Sequence, residues 1–395
     1  MAKKNGLNVK MLLLTNDYPP TISGISTLFY RIWLFLPSDQ DLILAPSVEG
    51  SAAFDKESGR NVVRYPAIPV KSIFIKVFNF SVQFLYALRL SLRHRVRLLH
   101  AGQILNGGVI GYIFKKILGI PYVVWVYGDE TRPIYMKSPI HRLLIDRLIG
   151  GADRIVSVSP VITEEFLEYG VSRDKIIEII PGVDTETFSP GKPPLELMER
   201  YGVKGKTVLM TVARLTPRKG QDTVISALPG ILKKHPDVVY LIVGHGPYRR
   251  SLEELARDVG VLGNVIFAGK VSDTELPDHY RLSDIYVMPN REVKDSTDSI
   301  EGFGISFIEA GASAKPVVGG RSGGAVFAVE EGVSGVLVDP EDVGGLTDAV
   351  IGLLDDPKGT GDLGRRGLER ARTFDWRLRA DEILELHREY ERSRR

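Results

Sequence analysis

The chain has 395 residues, 44% of them hydrophobic and 25% charged, with a net charge of +2 and no cysteine. One ordinary hydrophobic core does not use up that length, so two domains are the default, and the near-balanced charge points to no partner by itself. The missing cysteines exclude disulfides, thiolate-ligated zinc and thiol nucleophiles.

The first apolar run, Val9 to Leu14, is too short for a secretory leader and is followed at once by Asn16-Asp17. No uncharged run reaches the roughly 18 residues of a spanning helix without Gly, Pro or Arg interrupting it. The expectation is a cytoplasmic protein without a transmembrane anchor. Val9 to Leu14 reads as a strand buried on both faces of a parallel sheet. Asp17-Tyr18-Pro19-Pro20 and a turn at Ser23-Gly24 follow, then a helix over about Ile25 to Leu36. Strand, glycine turn and helix open a doubly wound fold, whose ligands bind at the carboxyl ends of strands. A single glycine serves a plain turn as readily as an anion site.

Short apolar strands recur at 41–44, 62–64, 98–100, 122–127 and 154–158, with helical stretches between them. That alternation predicts a parallel α/β sheet. Tyr127-Gly128-Asp129-Glu130 closes one strand, at the ligand edge or as an ordinary strand-to-loop turn. From Ser58 to Gly128 there is no acidic residue, yet ten Lys or Arg occur, mixed with aromatics such as Phe74, Phe78, Phe80 and Phe84. Such a mixture over 71–97 suits peripheral contact with an anionic membrane at its inner face. It equally suits a cleft wall facing a phosphorylated acceptor, or a core helix with snorkelling arginines. No nucleic-acid module accompanies the charge, so no nucleic-acid partner is expected.

The Pro/Gly-rich passage Ile179 to Pro194 marks a domain boundary. It divides the chain into 1–188, 189–374 and a C-terminal helix over 375–395, expected to pack back on the first domain. A second α/β series begins with a strand at 207–213. The loop after it, Arg214-Leu215-Thr216-Pro217-Arg218-Lys219-Gly220, lets Arg214 and Lys219 converge on a diphosphate, or is a solvated basic loop. Gly244-His245-Gly246 and Arg321-Ser322-Gly323-Gly324 read as tight turns at later strand ends. In Ser299 to Ala312, Glu301 and Glu309 stand with seven residues between them. Gly302 and Gly304 allow a tight turn, and a buried helix starts at Ile305. The free N–H groups of Ile305 and Ser306 would favour a phosphate, with Glu309 about one turn further in. The competing reading is a surface loop, a core helix and two solvated glutamates.

Taken together, these motifs resemble the retaining glycosyltransferases of family four, across nearly the whole chain. The resemblance rests on Asp17-Tyr18-Pro19-Pro20 with Gly24, Pro181-Gly182-Val183-Asp184 with Phe188, Arg214 to Gly220, and Gly244-His245-Gly246-Pro247. It continues through Phe267-Ala268-Gly269, Glu301-Gly302-Phe303-Gly304 with Glu309, and Gly323-Gly324. It implies a GT-B fold: α/β, two Rossmann-like doubly wound parallel-sheet domains facing a cleft, acceptor on the first and nucleotide-sugar on the second. It implies transfer of a hexose, mannose or glucose, from a UDP- or GDP-sugar to a glycan, lipid-linked or phosphorylated acceptor, with no metal and no cofactor. By the same resemblance Arg214, Lys219 and Glu301 are catalytic. Gly24, Tyr127, Phe303, Gly304, Ile305, Ser306 and Glu309 join those three in holding the donor. Tyr127 stands where relatives often carry histidine, so sugar contact there falls to its main chain or to Asp129. Alternatives on the same fold are a nucleotide-sugar 2-epimerase and an inactive nucleotide-sugar-binding protein. The incomplete glycine fingerprint at Ser23-Gly24 speaks against a nicotinamide dehydrogenase.

Overall fold

The computed structural model describes residues 10–21, 23–69, 71–127, 139–293 and 300–392. The chain forms two compact units, Met1–Ile180 with Trp376–Arg395, and Pro181–Asp375. The division at Ile180 falls inside the Pro/Gly-rich passage.

The first unit holds seven parallel strands: β1 (Met11–Leu14), β2 (Asp41–Pro46), β3 (Val62–Tyr65), β4 (Leu98–Ala101), β5 (Tyr122–Val126), β6 (Arg154–Ser157) and β7 (Ile176–Glu178). Their order is β3-β2-β1-β4-β5-β6-β7. Met11 of β1 is in register with Asp41 on one side and Leu98 on the other. Every residue of β1, β4 and β5 is buried, the pattern of strands covered on both faces. Helices α1 (Gly24–Leu34), α2 (Ser51–Ser58), α3 (Ile73–His94), α4 (Asn106–Leu118), α5 (Pro139–Gly151) and α6 (Pro160–Glu168) supply the cover. Helix α1 starts where the Ser23 hydroxyl accepts the Ser26 N–H. It stops two residues before the expected Leu36, since Pro37 cannot continue it.

Helix α3 is long and apolar enough to cross a membrane by length and composition. It nevertheless lies against β2, β3 and α4 as part of the cover of the sheet. Gln83, Ala87, Leu90 and Ser91 face inward, while Ile73, Phe74, Val77 and Phe78 are exposed at its first turns.

The second unit has six parallel strands: β8 (Thr207–Val212), β9 (Val238–Val243), β10 (Val265–Gly269), β11 (Ile285–Met288), β12 (Val317–Gly320) and β13 (Gly335–Val338), in the order β10-β9-β8-β11-β12-β13. Its helices are α7 (Leu195–Tyr201), α8 (Gln221–Lys234), α9 (Arg249–Asp258), α10 (Leu276–Leu282), α11 (Ile305–Ala312), α12 (Ala325–Ala328), α13 (Val343–Asp355) and α14 (Pro357–Ala371). Leu209, Ile225, Leu228, Tyr240, Ile242 and Val287 form the centre of its core. Helix α15 (Trp376–Arg392) belongs to the first unit and packs on α1. In each sheet the strand order reverses once, between β1 and β4 and between β8 and β11. Ligands of open α/β sheets bind at the carboxyl ends of strands beside such a reversal.

Candidate active site

The reversal in the second sheet brings together segments far apart in sequence. The chain leaves β8 through Ala213 and Arg214 and tightens into a 3-10 turn over Pro217–Lys219. The next strand end holds this loop in place. The Leu215 N–H donates to the His245 carbonyl at 3.1 Å, and the Tyr248 N–H donates to the Leu215 carbonyl at 3.2 Å. His245 therefore contributes its main chain, and its imidazole is exposed. On the other side the Arg291 N–H donates to the Arg218 carbonyl at 2.8 Å, just past β11. The Arg291 guanidinium grips both oxygens of Asp222 at 3.0 and 2.6 Å.

Within this frame Glu301 meets two cations. Arg218 Nη1 donates to its Oε2 at 2.9 Å, and Lys219 Nζ donates to the same oxygen. Glu301 is only 9% exposed. Burial pushes its carboxyl upward, but Lys219 and then Arg218 outweigh that and hold it down at about 2. The group is thus an anion at any physiological pH, able to accept hydrogen bonds from hydroxyls. Arg214, expected beside Lys219, is exposed and makes no ion pair among the described residues. Arg218, passed over in the sequence reading, is the residue that pairs. Its signal was there, as a second cation adjoining Lys219 in the same strand-end loop.

The Glu301 turn is buttressed from behind. The Gly324 N–H donates to the Glu301 carbonyl at 2.7 Å, and a Cβ on Gly324 would lie 2.2 Å from the Gly302 carbonyl oxygen. The Gly323-Gly324 pair therefore lets two backbones touch. Gly304 has φ +89° and precedes α11. A side chain there would be strained, and its Cβ would stand 2.5 Å from the Phe307 ring. Phe303 is buried, its ring 5.6 Å from that of Phe374, so only its main chain can reach a ligand.

Helix α11 presents the Ile305 and Ser306 N–H groups at its start, where intrahelical acceptors are lacking. Two tyrosines beneath it orient its polar side chains. Tyr280 donates to Glu309 Oε2 at 2.7 Å, and Tyr286 donates to Ser306 Oγ at 2.7 Å. Both rings are fully buried, and Phe188 stands 5.5 Å from Tyr280. Burial raises both phenols well above their ordinary value, so they remain donors. Neither tyrosine carries a motif of its own, and sequence reading missed both.

Gly24 and Tyr127 belong to the first unit. Gly24 opens α1, and a Cβ there would meet nothing within 4 Å, so local packing does not demand glycine. Tyr127 follows β5 and is buried, edge-on to Phe29 at 6.4 Å. Gly128, Asp129 and Glu130 lie outside the described residues. At the reversal of this sheet, the Asn16 N–H donates to Gln103 Oε1 at 3.0 Å, and Gln103 Nε2 donates to Thr15 Oγ1 at 3.4 Å. Asp17 adjoins them, its carboxyl raised by burial. This polar cluster joins β1 to β4 and had no sequence signal beyond Asp17.

Comparison with known proteins settles the family. The model for glycosyl transferases group 1 matches residues 196–370, and that for glycosyltransferase family 4 matches 38–187. A GDP-mannose-dependent alpha-(1-6)-phosphatidylinositol monomannoside mannosyltransferase of Mycolicibacterium smegmatis is 33% identical over 385 residues, covering 95% of this chain and 97% of the relative. Its counterpart in Mycobacterium tuberculosis is 32% identical over 378 residues, covering 93% and 94%. The chain belongs to glycosyltransferase family 4.

The fold of this family 4 glycosyltransferase matches solved structures. Anabaena HepE in complex with UDP superposes with a TM-score of 0.78 at 21% identity, covering 96% of this chain and 99% of that one. The lipopolysaccharide glycosyltransferase WaaG gives 0.70 at 15% identity, covering 95% and 99%. The two Rossmann-like parallel sheets are those of the GT-B class. The enzyme transfers a sugar from a nucleotide-sugar. For that reaction the second unit offers cations, an open helix start and two oriented carboxylates on one side of one sheet.

Proposed function

We propose that this enzyme is a retaining, metal-independent α-mannosyltransferase that uses GDP-mannose and a phosphatidylinositol mannoside acceptor. The observation that carries the choice of donor and acceptor is 33% identity extending over 97% of a relative named as a GDP-mannose-dependent alpha-(1-6)-phosphatidylinositol monomannoside mannosyltransferase. The mannose C1–O bond to the diphosphate breaks, and a new C1–O bond to an acceptor hydroxyl forms on the same face. The acceptor proton passes to the departing phosphate oxygen, so no protein base is required. Glu309, held by Tyr280, takes the ribose hydroxyls. Lys219 and Arg214 neutralise the diphosphate as it leaves, aided by the Ile305 and Ser306 N–H groups and by Gly24. Glu301, with the Phe303 and Gly304 main chain, holds the mannose hydroxyls, and Tyr127 contributes a main-chain contact. Fixed cations and a helix end do the work that a metal does in other nucleotide-sugar enzymes.

A lipid acceptor implies work at a membrane, from the cytoplasmic face where nucleotide-sugars are made. Helix α3 supports this, with Phe74 82% and Val77 58% exposed beside Lys71 and Lys76. Neither relative named above, and no side-chain arrangement among the described residues, favours the epimerase or the inactive binding protein.

The test supplies radiolabelled GDP-mannose, UDP-glucose or UDP-galactose with vesicles containing phosphatidylinositol monomannoside. GDP-mannose should label the lipid, with excess EDTA making no difference, and α-mannosidase should remove the label. Transfer only from a UDP-sugar, a β-linked product or loss of activity in EDTA would overturn the corresponding part.

A further inference from the structure

Ser306 brings two donors to the start of α11, its main-chain N–H and its hydroxyl, and it is half-buried there. The hydroxyl oxygen is engaged from the core side, where Tyr286 donates to it at 2.7 Å. Tyr286 is fixed in place. It is fully buried, its ring 5.9 Å from that of Tyr280 and 5.8 Å from that of Phe307. Its other oxygen acceptor, the Val212 carbonyl, stands further off at 3.2 Å. A phenol has one hydrogen, and given to Ser306 Oγ it leaves the serine's own hydrogen unspent. A serine inside a helix can spend that hydrogen on a carbonyl one turn back. Ser306 does not: among the described residues its hydroxyl donates to no acceptor. With the phenol on its core side, the hydroxyl hydrogen turns toward the open side.

The groups beside it are donors too. Among the described residues the Ile305 and Ser306 N–H groups have no main-chain acceptor, and the first in the helix to have one is that of Phe307, on the Gly304 carbonyl at 2.9 Å. Three donor hydrogens on two consecutive residues suit a ligand atom that only accepts, as a phosphate oxygen does and a sugar hydroxyl does not.

We propose that the Ser306 hydroxyl is a third phosphate donor at this helix start and that Tyr286 is its positioning residue, holding the oxygen so that the hydrogen points at the diphosphate. This rests on the donor site proposed above, where only the main chain of Ser306 served the diphosphate. A hydroxyl aimed beforehand needs no reorganisation as charge grows on the departing phosphate.

The experiment compares guanosine with GDP as ligands of the full-length protein by calorimetry, in wild type, Ser306→Ala, Tyr286→Phe, the double variant and Glu309→Ala. Guanosine shares the base and ribose of GDP and lacks its phosphates. Ser306→Ala should bind GDP about tenfold more weakly, the scale of one hydrogen bond to a charged group, and guanosine within about twofold of wild type. Tyr286→Phe should weaken GDP alone, by about threefold, and should cost nothing more once Ser306 is alanine. Equal weakening of both ligands by Ser306→Ala makes Ser306 a packing residue and overturns the inference. A further loss from Tyr286→Phe in the alanine background overturns the part given to Tyr286. Glu309→Ala should weaken both ligands, since both carry the ribose. If it weakens neither, the donor site itself is misassigned and the inference falls with it. If it weakens both while Ser306→Ala leaves GDP unchanged, the inference alone fails.

Discussion

Glu309 is held by a phenol that has no contact with water. Tyr280 is fully buried and gives its hydrogen to Glu309 Oε2 at 2.7 Å. In the function proposed above Glu309 receives two ribose hydroxyls at once, and a carboxylate with that task gains from having its rotation settled beforehand. Tyr280→Phe should raise the donor KM about tenfold and leave kcat within about twofold, the scale of one hydrogen bond to a charged group. The loss should vanish with a 2′,3′-dideoxyribose donor, and an equal loss with both donors would reduce Tyr280 to a packing residue. Lys219 is tested at the same scale through the departing phosphate. Lys219→Ala should lower turnover by about two to three orders of magnitude, as expected for losing one transition-state donor. A fall smaller than threefold would count against its role.

Helix α3 is the element whose two faces disagree. Its inner face, around Gln83, Ala87 and Leu90, completes the cover of the first sheet. Its first turns carry Ile73, Phe74, Val77 and Phe78 outward, where water contact gains nothing. At the membrane surface proposed above, inserting these side chains between lipid headgroups would recover their burial, and Lys76 would add attraction to anionic lipid. Phe74→Asp with Val77→Asp should abolish co-sedimentation with phosphatidylglycerol vesicles. Melting should shift little, because both positions are exposed. Unchanged vesicle binding would assign this face to another partner. Helix α11 poses the opposite case, since its start depends on Gly304 at φ +89° rather than on any apolar face.

At the scale of the whole molecule, the first unit is finished by the last helix of the chain. Trp376, Ala380, Ile383 and Leu386 form a stripe along α15 that is buried with His387. The Trp125 indole N–H donates to His100 Nδ1 at 3.2 Å, which places the His100 hydrogen on Nε2. His100 then donates to His387 Nε2 at 2.8 Å, and the His387 hydrogen sits on Nδ1, buried without an acceptor among the described residues. Both rings are neutral. Burial lowers His100 from 6.5 to about 3 and His387 well below 6.5. The unfolded chain therefore binds more protons below pH 6.5, so this stability is present above 6.5 and is lost as pH falls toward 3. His387→Leu should flatten the fall of the melting temperature between about pH 6.5 and 4.5. At pH 7.5 it should cost about 1–3 kcal/mol, since His100 Nε2–H loses its acceptor. Identical pH slopes in mutant and wild type would sink this account.

Local features were legible in the amino-acid order alone. Apolar runs marked the buried strands, the Pro/Gly-rich passage marked the change of unit, and glycines beside Glu301 marked a turn before a helix. These signals lie within a few residues of one another, because strand burial, turn geometry and helix starts are set by near neighbours. The partners of the charged and phenolic groups were another matter. Lys219 meets Glu301 across 82 residues, Tyr280 meets Glu309 across 29, and His100 meets His387 across 287. Only the strand order, which lays β8 beside β11 and returns α15 to the first sheet, brings them together. Composition and spacing determined that this chain is a two-unit α/β protein with a helix starting just after the glycines beside Glu301. The tertiary structure alone decided that Arg218, and not Arg214, shares the oxygen of Glu301 with Lys219, because a contact between distant residues depends on where whole elements pack.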